Sequence, residues 1–98
     1  MRRRVRFDAA AEVELNEAAD YYDLESPGLG SVFLDEVERA MAQVTAFPDA
    51  ATPVHAGVRQ RLLTKFPYTL LYSLRGDEIR ILAVAHQKRR PFYWRGRQ

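Results

Sequence analysis

The stretch Ile79-Arg80-Ile81-Leu82-Ala83-Val84-Ala85-His86 decides the fold. Eight residues dominated by Ile, Val and Ala read as a strand. Both of its faces are largely apolar, which predicts a central strand rather than an edge. Behind it runs Gln87-Lys88-Arg89-Arg90-Pro91-Phe92-Tyr93-Trp94-Arg95-Gly96-Arg97, with five cations, three aromatics and no acid. A strand that delivers a His and a cationic, aromatic tail to one end of a sheet suits an active site or a docking surface.

Working outward, Arg75-Gly76-Asp77-Glu78 supplies a hairpin turn, with Gly76 available for positive φ. Tyr68 to Leu74 reads as the strand before it. Lys65-Phe66-Pro67 breaks the chain, since Pro67 fits only the start of a strand or the turn. Val58 to Thr64 alternates as a strand with one wet face. Phe47 to Gly57 reads as a loop, with Pro48, Asp49, Pro53 and Gly57 as breakers and His55 as an exposed loop residue. Before it, Leu29, Phe33, Val37, Ala40, Val44 and Phe47 form the cleanest helical stripe in the chain, ended by Pro48. Ser26-Pro27-Gly28 separates this helix from an earlier one. There Asp8 is the N-cap and Ala11, Leu15, Ala18 and Tyr22 share a face. Arg4-Val5-Arg6-Phe7 alternates as a short opening strand.

The order is β-α-α-β-β-β. Each helix has one apolar side and needs a flat surface to cover. The expected class is α+β: a helical hairpin on one face of a small, mainly antiparallel sheet of about four strands.

A chain of 98 residues fits one domain, taken as 1–98. There is no Cys, so neither disulfides nor thiolate chemistry enter. No run approaches the roughly 18 apolar residues of a membrane span. Met1-Arg2-Arg3-Arg4 begins like a secretory signal, but no apolar run follows it, so a cytoplasmic protein with no membrane contact is expected. The net charge of +2 hides a division. Residues 1–7 carry four Arg and no acid, residues 8–53 eleven acids and one base, and residues 54–98 ten bases and two acids. Such a division offers a basic face to something anionic, unless helices and strands simply solvate their own charges separately.

Arg59 and Arg61 alternate outward from their strand. Arg80 points the same way if Ile79 and Ile81 point in, and the cations of the tail follow. Guanidinium groups converging on one face bind phosphates in a forked geometry. Phe92, Tyr93 and Trp94 offer stacking platforms for bases. Two readings stand for Trp94, a stacking platform or a core residue. Tyr21, Tyr22, Tyr68 and Tyr72 read as core or helix–sheet packing. Two readings stand for His86 as well. With Arg89 and Tyr93 it has the makings of an RNA-cleaving set: a base for the 2′-hydroxyl, a cation for the phosphorane and an acid for the leaving oxygen. The plainer reading is a ring whose hydrogen bonds fix the start of the tail, and the lack of a second clear acid–base partner favours it. No Ser or Cys nucleophile arrangement, Gly-rich phosphate loop or zinc motif is present, and neither a metal nor a cofactor is expected.

The element order, the Lys65-Phe66-Pro67-Tyr68 step with Tyr72 beyond it, and the run from Val84-Ala85-His86 through Arg89, Pro91, Tyr93 and Trp94 resemble the RelE/ParE superfamily of bacterial toxins. Tyr21-Tyr22 and Arg59-Gln60-Arg61 add to the likeness, which covers nearly the whole chain. The resemblance implies the toxin of a type II toxin–antitoxin pair, held inactive by a cognate antitoxin whose C-terminal segment wraps it. RelE-like members cut messenger RNA on the ribosome, whereas ParE-like members cut nothing and inhibit DNA gyrase. The sheet here lacks a multi-lysine phosphate cradle, and the helical hairpin and tail look closer to the ParE-like side. On the RelE-like side His86, Arg89 and Tyr93 would be catalytic. On either side Arg59, Arg61, Arg80, Arg90, Trp94 and Arg97 are the expected target- or antitoxin-binding residues. A plain nucleic-acid-binding module is the third reading that the tail permits.

Overall fold

The computed structural model describes residues 3–97. Met1 and Arg2, part of the basic opening run, and Gln98 lie outside the described residues. The elements are β1 (Arg4–Phe7), α1 (Ala9–Glu25), α2 (Leu29–Ala46), β2 (Thr52–His55), β3 (Val58–Leu62), β4 (Tyr68–Arg75) and β5 (Glu78–His86), closed by a 3-10 turn at Arg95–Arg97. They form one mixed sheet in the order β1-β5-β4-β3-β2. β1 runs parallel to β5, and the other pairings are antiparallel. β5 is central, as its two apolar faces predict.

The sheet has five strands, not about four. The additional one is β2, inside the segment read as a loop. It pairs antiparallel with β3, with His55 opposite Val58 and Thr52 opposite Gln60. Pro53 hides it from a sequence reading because Pro cannot donate to a ladder. An edge strand tolerates that, and β2 is an edge.

Asp8 organises the start of α1. Its Oδ1 accepts from the Ala10 N–H at 2.9 Å, an N-cap bond, while its own N–H donates to the Ile81 carbonyl. The helices then turn back on each other through Gly28, whose φ of 89° is the left-handed conformation that Gly adopts at little cost. Two residues later Gly30 lets the helices meet: a Cβ there would lie 2.4 Å from the Ala19 carbonyl oxygen. The apolar stripes land as expected, with Ala11, Ala18, Phe33, Val37, Ala40 and Val44 buried. Phe47 departs from its stripe and is exposed, because α2 ends at Ala46 and the backbone of Phe47 is no longer helical.

Two cores lie on opposite faces of the sheet. Under the helices, Phe33, Val37, Leu70, Tyr72, Ile79 and Ile81 pack with Phe66. Tyr22, Phe33, Phe66 and Tyr68 form an aromatic cluster with ring centroids 4.8–6.2 Å apart, which is where the Phe66-Pro67-Tyr68 step goes. Tyr72 donates its hydroxyl to the Pro48 carbonyl at 2.7 Å. Tyr22, Tyr68 and Tyr72 therefore pack as expected, while Tyr21 is exposed. On the other face Val58, Leu71, Leu82, Ala83 and Ala85 gather under Trp94. β5 reaches both cores by alternation, and a bulge re-phases it. Ala83 pairs with Leu71 and Ile81 with Tyr72, so Leu82 is one residue too many and the facing pattern changes beyond it.

Candidate functional site

The tail folds back rather than hanging free. The Gln87 N–H donates to the Pro67 carbonyl, Arg89 to His86, Arg95 to Phe92 and Arg97 to Trp94. Trp94 is 4% exposed and caps the second core. Of its two sequence readings, the structure places it in the core.

Glu14 locks the tail to the body. Beyond Phe7 β1 stops, and side chains meet the β5 backbone instead. Glu14 accepts from the Val84 N–H at 3.0 Å, and Arg97 donates to the Leu82 carbonyl at 3.1 Å. Arg97 also forks onto both carboxylate oxygens of Glu14 at 2.9 and 3.1 Å, and the Tyr93 hydroxyl donates to the same carboxylate at 2.8 Å. Burial first, and then the bond to Glu14, push the Tyr93 hydroxyl well above its ordinary range. The bond to Glu14 is also the main cause that raises Arg97, against the opposing effect of burial. Two cations lie over the Tyr93 ring, with Arg89 Cζ 3.9 Å and Arg97 Cζ 5.1 Å from its centroid.

His86, Arg89, Arg90, Phe92, Tyr93 and Trp94 all contribute to the wall of one open cavity of about 230 Å³ over the second core. The expected RNA-cleaving set is thus brought together in one place. Its members are occupied within the chain, however. His86 Nδ1 accepts from the Lys88 N–H at 3.1 Å and its ring packs edge-on against Tyr68 at 5.1 Å, in line with the plainer reading. Phe92 sits at the rim with φ of 61°, a strained conformation for an aromatic residue.

The expected convergence of arginines on the face opposite the helices is corrected by the register. Arg59 lies opposite Tyr72 and Arg61 opposite Leu70, and both partners belong to the core under the helices. Arg59 and Arg61 therefore face the helix side. Arg80 lies opposite Ser73, which in turn pairs with Val58, on the other side. Carboxylates of the chain itself meet several of these cations: Asp49 approaches Arg59 at 3.7 Å, Asp8 approaches Arg80 at 3.2 Å, and Glu14 holds Arg97. Arg59 also donates to the Asp49 and Ala51 carbonyls. Lys88, Arg89, Arg90 and Arg95 are exposed and, among the described residues, take part in none of the ion pairs.

Sequence reasoning missed a groove on the helix side, between α2 and β3. Glu36, Arg39, Gln43, Arg61 and Lys65 line it, and Phe47 extends it. Glu36 is buried and accepts from the Thr64 and Lys65 N–H groups, so it fixes the β3–β4 connection to α2. Its Oε1 and the Nε of Arg61 are buried with no hydrogen-bond partner among the described residues. A Glu on the core side of α2 between Phe33 and Val37 was the available signal. Among the described residues no helix is long and apolar enough to cross a membrane.

A solved structure, described as the chromosomal ParDE TA system from P. aeruginosa, superposes with a TM-score of 0.76 at 20% identity, over 86% of this chain and 95% of that one. Comparison with curated protein sequences finds none that matches. The family described as ParE toxin of type II toxin-antitoxin system, parDE, matches residues 5–91, and the chain belongs to that family. It is the toxin component of a type II toxin–antitoxin system, and an antitoxin is its partner.

Proposed function

We propose that the chain acts by binding: it inhibits DNA gyrase without chemistry of its own, in the cytoplasm, until its cognate antitoxin neutralises it. Family membership supports gyrase as the target. The observation that carries the reading is the bond from the Tyr93 hydroxyl to Glu14. A general acid must release its proton near neutral pH, and a hydroxyl pushed up by burial and held by a carboxylate is poorly suited to that. Arg89, the intended phosphate stabiliser, is stacked on the Tyr93 ring.

The second reading is a RelE-like, ribosome-dependent messenger-RNA endonuclease. What favours it is the shared cavity of His86, Arg89 and Tyr93. Purified toxin added to a gyrase supercoiling assay separates the two. Inhibition by the wild type, retained in His86→Ala and Tyr93→Phe, is the expected result. Toxicity abolished in both variants while each still melts cooperatively and binds antitoxin, with codon-positioned cuts in messages from wild-type cells, would establish cleavage instead.

For the antitoxin, the groove between α2 and β3 is the favoured dock. It combines three cations, Arg39, Arg61 and Lys65, with the exposed ring of Phe47. Carboxylates of an incoming peptide segment would pair with these cations while its apolar side chains cover Phe47.

A further inference from the structure

We propose that the tail surface made by Lys88, Arg89, Arg90 and Arg95 binds the phosphate backbone of duplex DNA directly, independently of any protein target. The first reason is selective pairing. Asp49, Asp8 and Glu14 each lie close to one of the expected binding arginines, Arg59, Arg80 and Arg97. The four tail cations have no such carboxylate among the described residues, and there is no acid anywhere from Gln87 to Arg97. Four like charges within so short a stretch of chain repel one another. An anionic ligand relieves that repulsion and releases the counterions condensed on its own backbone.

The second reason is rigidity. Successive backbone hydrogen bonds tie the tail from Gln87 to Arg97, Trp94 anchors it in the second core, and Arg97 clamps its end to Glu14. The four cations are thus held on a fixed platform, and less entropy is lost on binding than from a loose basic arm. The strained Phe92 stands among them, with Arg95 Cζ 5.7 Å from its ring.

The third reason selects duplex over single strands. Readers of single strands stack bases on free aromatic faces. Here Trp94 is in the core, both cation contacts of Tyr93 involve its ring face, and the half-exposed Phe92 ring already meets His55, Trp94 and Arg95. Phosphates, rather than bases, are what this surface offers to meet, so binding should be independent of sequence.

The test is fluorescence polarisation of a labelled 20-base-pair duplex with purified full-length toxin, with no gyrase present, between 50 and 200 mM salt. Four phosphate contacts predict a slope of log K against log salt of about −3 to −4. Lys88→Gln with Arg90→Gln should weaken binding about tenfold at 50 mM salt and reduce the slope by about two. Arg4→Gln with Arg6→Gln removes the same charge from β1 and should leave affinity within about twofold; melting curves confirm that both pairs fold. Equal losses in the two pairs would mean that net charge alone drives binding and would overturn the proposal. So would the absence of binding, tighter binding to single-stranded RNA, or competition by an acidic peptide but not by unlabelled duplex. The gyrase reading is scored separately by supercoiling, so either proposal can fail while the other stands.

Discussion

Glu14 shows how much one side chain decides. It sits on α1, yet it holds a β5 amide, the Tyr93 hydroxyl and the Arg97 guanidinium. Glu14→Ala leaves the partly buried Arg97 guanidinium with only the Leu82 carbonyl and strips the Val84 N–H of its acceptor, and should cost about 2 kcal/mol in urea unfolding. The same bonds set an alkaline limit. Tyr93 has its hydroxyl raised in the folded state, so the folded chain keeps that proton while the unfolded chain loses it near the ordinary pKa of about 10. Stability is therefore full below pH about 10 and falls as pH rises beyond it toward the folded value. Tyr22, Tyr68 and Tyr72 are raised in the same direction, mainly by burial. Tyr93→Phe should flatten this decline without abolishing it, as read from melting temperatures between pH 8 and 11. The identities of Glu14, Tyr93 and Arg97 were visible in the sequence. Their meeting was not, because they are 79 and 83 positions apart along the chain and only the folded tail unites them.

Among the elements, the helical hairpin was the most legible. A 3.6-residue period marks the buried face of each helix, and the Pro-Gly turn marks the reversal. Gly30 adds what the period omits, namely how closely the helices approach. Its N–H donates to Asp23 Oδ1 at 2.8 Å, and there is no room for a methyl against the Ala19 carbonyl. Gly30→Ala should destabilise by about 1–3 kcal/mol despite its better helix propensity, since the backbone rather than a flexible side chain must yield. Thermal unfolding checks this, at roughly 4–8 °C per kcal/mol for a domain of this size. The strands were harder to read. Alternation in Val58 to Leu63 separates two sets of residues but does not say which set faces the helices. Val58 and Leu62 looked like the core face, and Arg59 and Arg61 the wet one. Arg59, Arg61 and Leu63 in fact face the helices, while Val58 packs under Trp94. The second core was invisible before the tail was known to fold over it, and the bulge at Leu82 reversed the pattern in β5 as well.

For the whole molecule, the arrangement is three layers: helices, sheet and tail. The basic character of residues 54–98 is divided between two surfaces as a result. Arg61 and Lys65 line the α2–β3 groove on the helix side, while Lys88, Arg89, Arg90 and Arg95 belong to the tail that covers the opposite face. Reversing Arg61 and Lys65 together to Glu should weaken the antitoxin complex at least tenfold by calorimetry while leaving supercoiling inhibition in place. Unchanged affinity would move the antitoxin elsewhere on the surface. A single test with Arg61 and Arg80, natural from the sequence, would mix two faces, since these residues point to opposite sides of the sheet.

The parallel pairing of Arg4–Phe7 with Glu78–Ile81 also has a consequence for synthesis. A ribosome makes the second of these strands well after the first, with both helices in between, at roughly 5–20 residues per second. Until the later one emerges, the earlier one has no neighbour, and the clasp at Glu14 waits longer still, for Arg97. The helical pair is therefore made before the strand that closes the sheet on β1, and the poison is assembled only once that strand and Arg97 have followed.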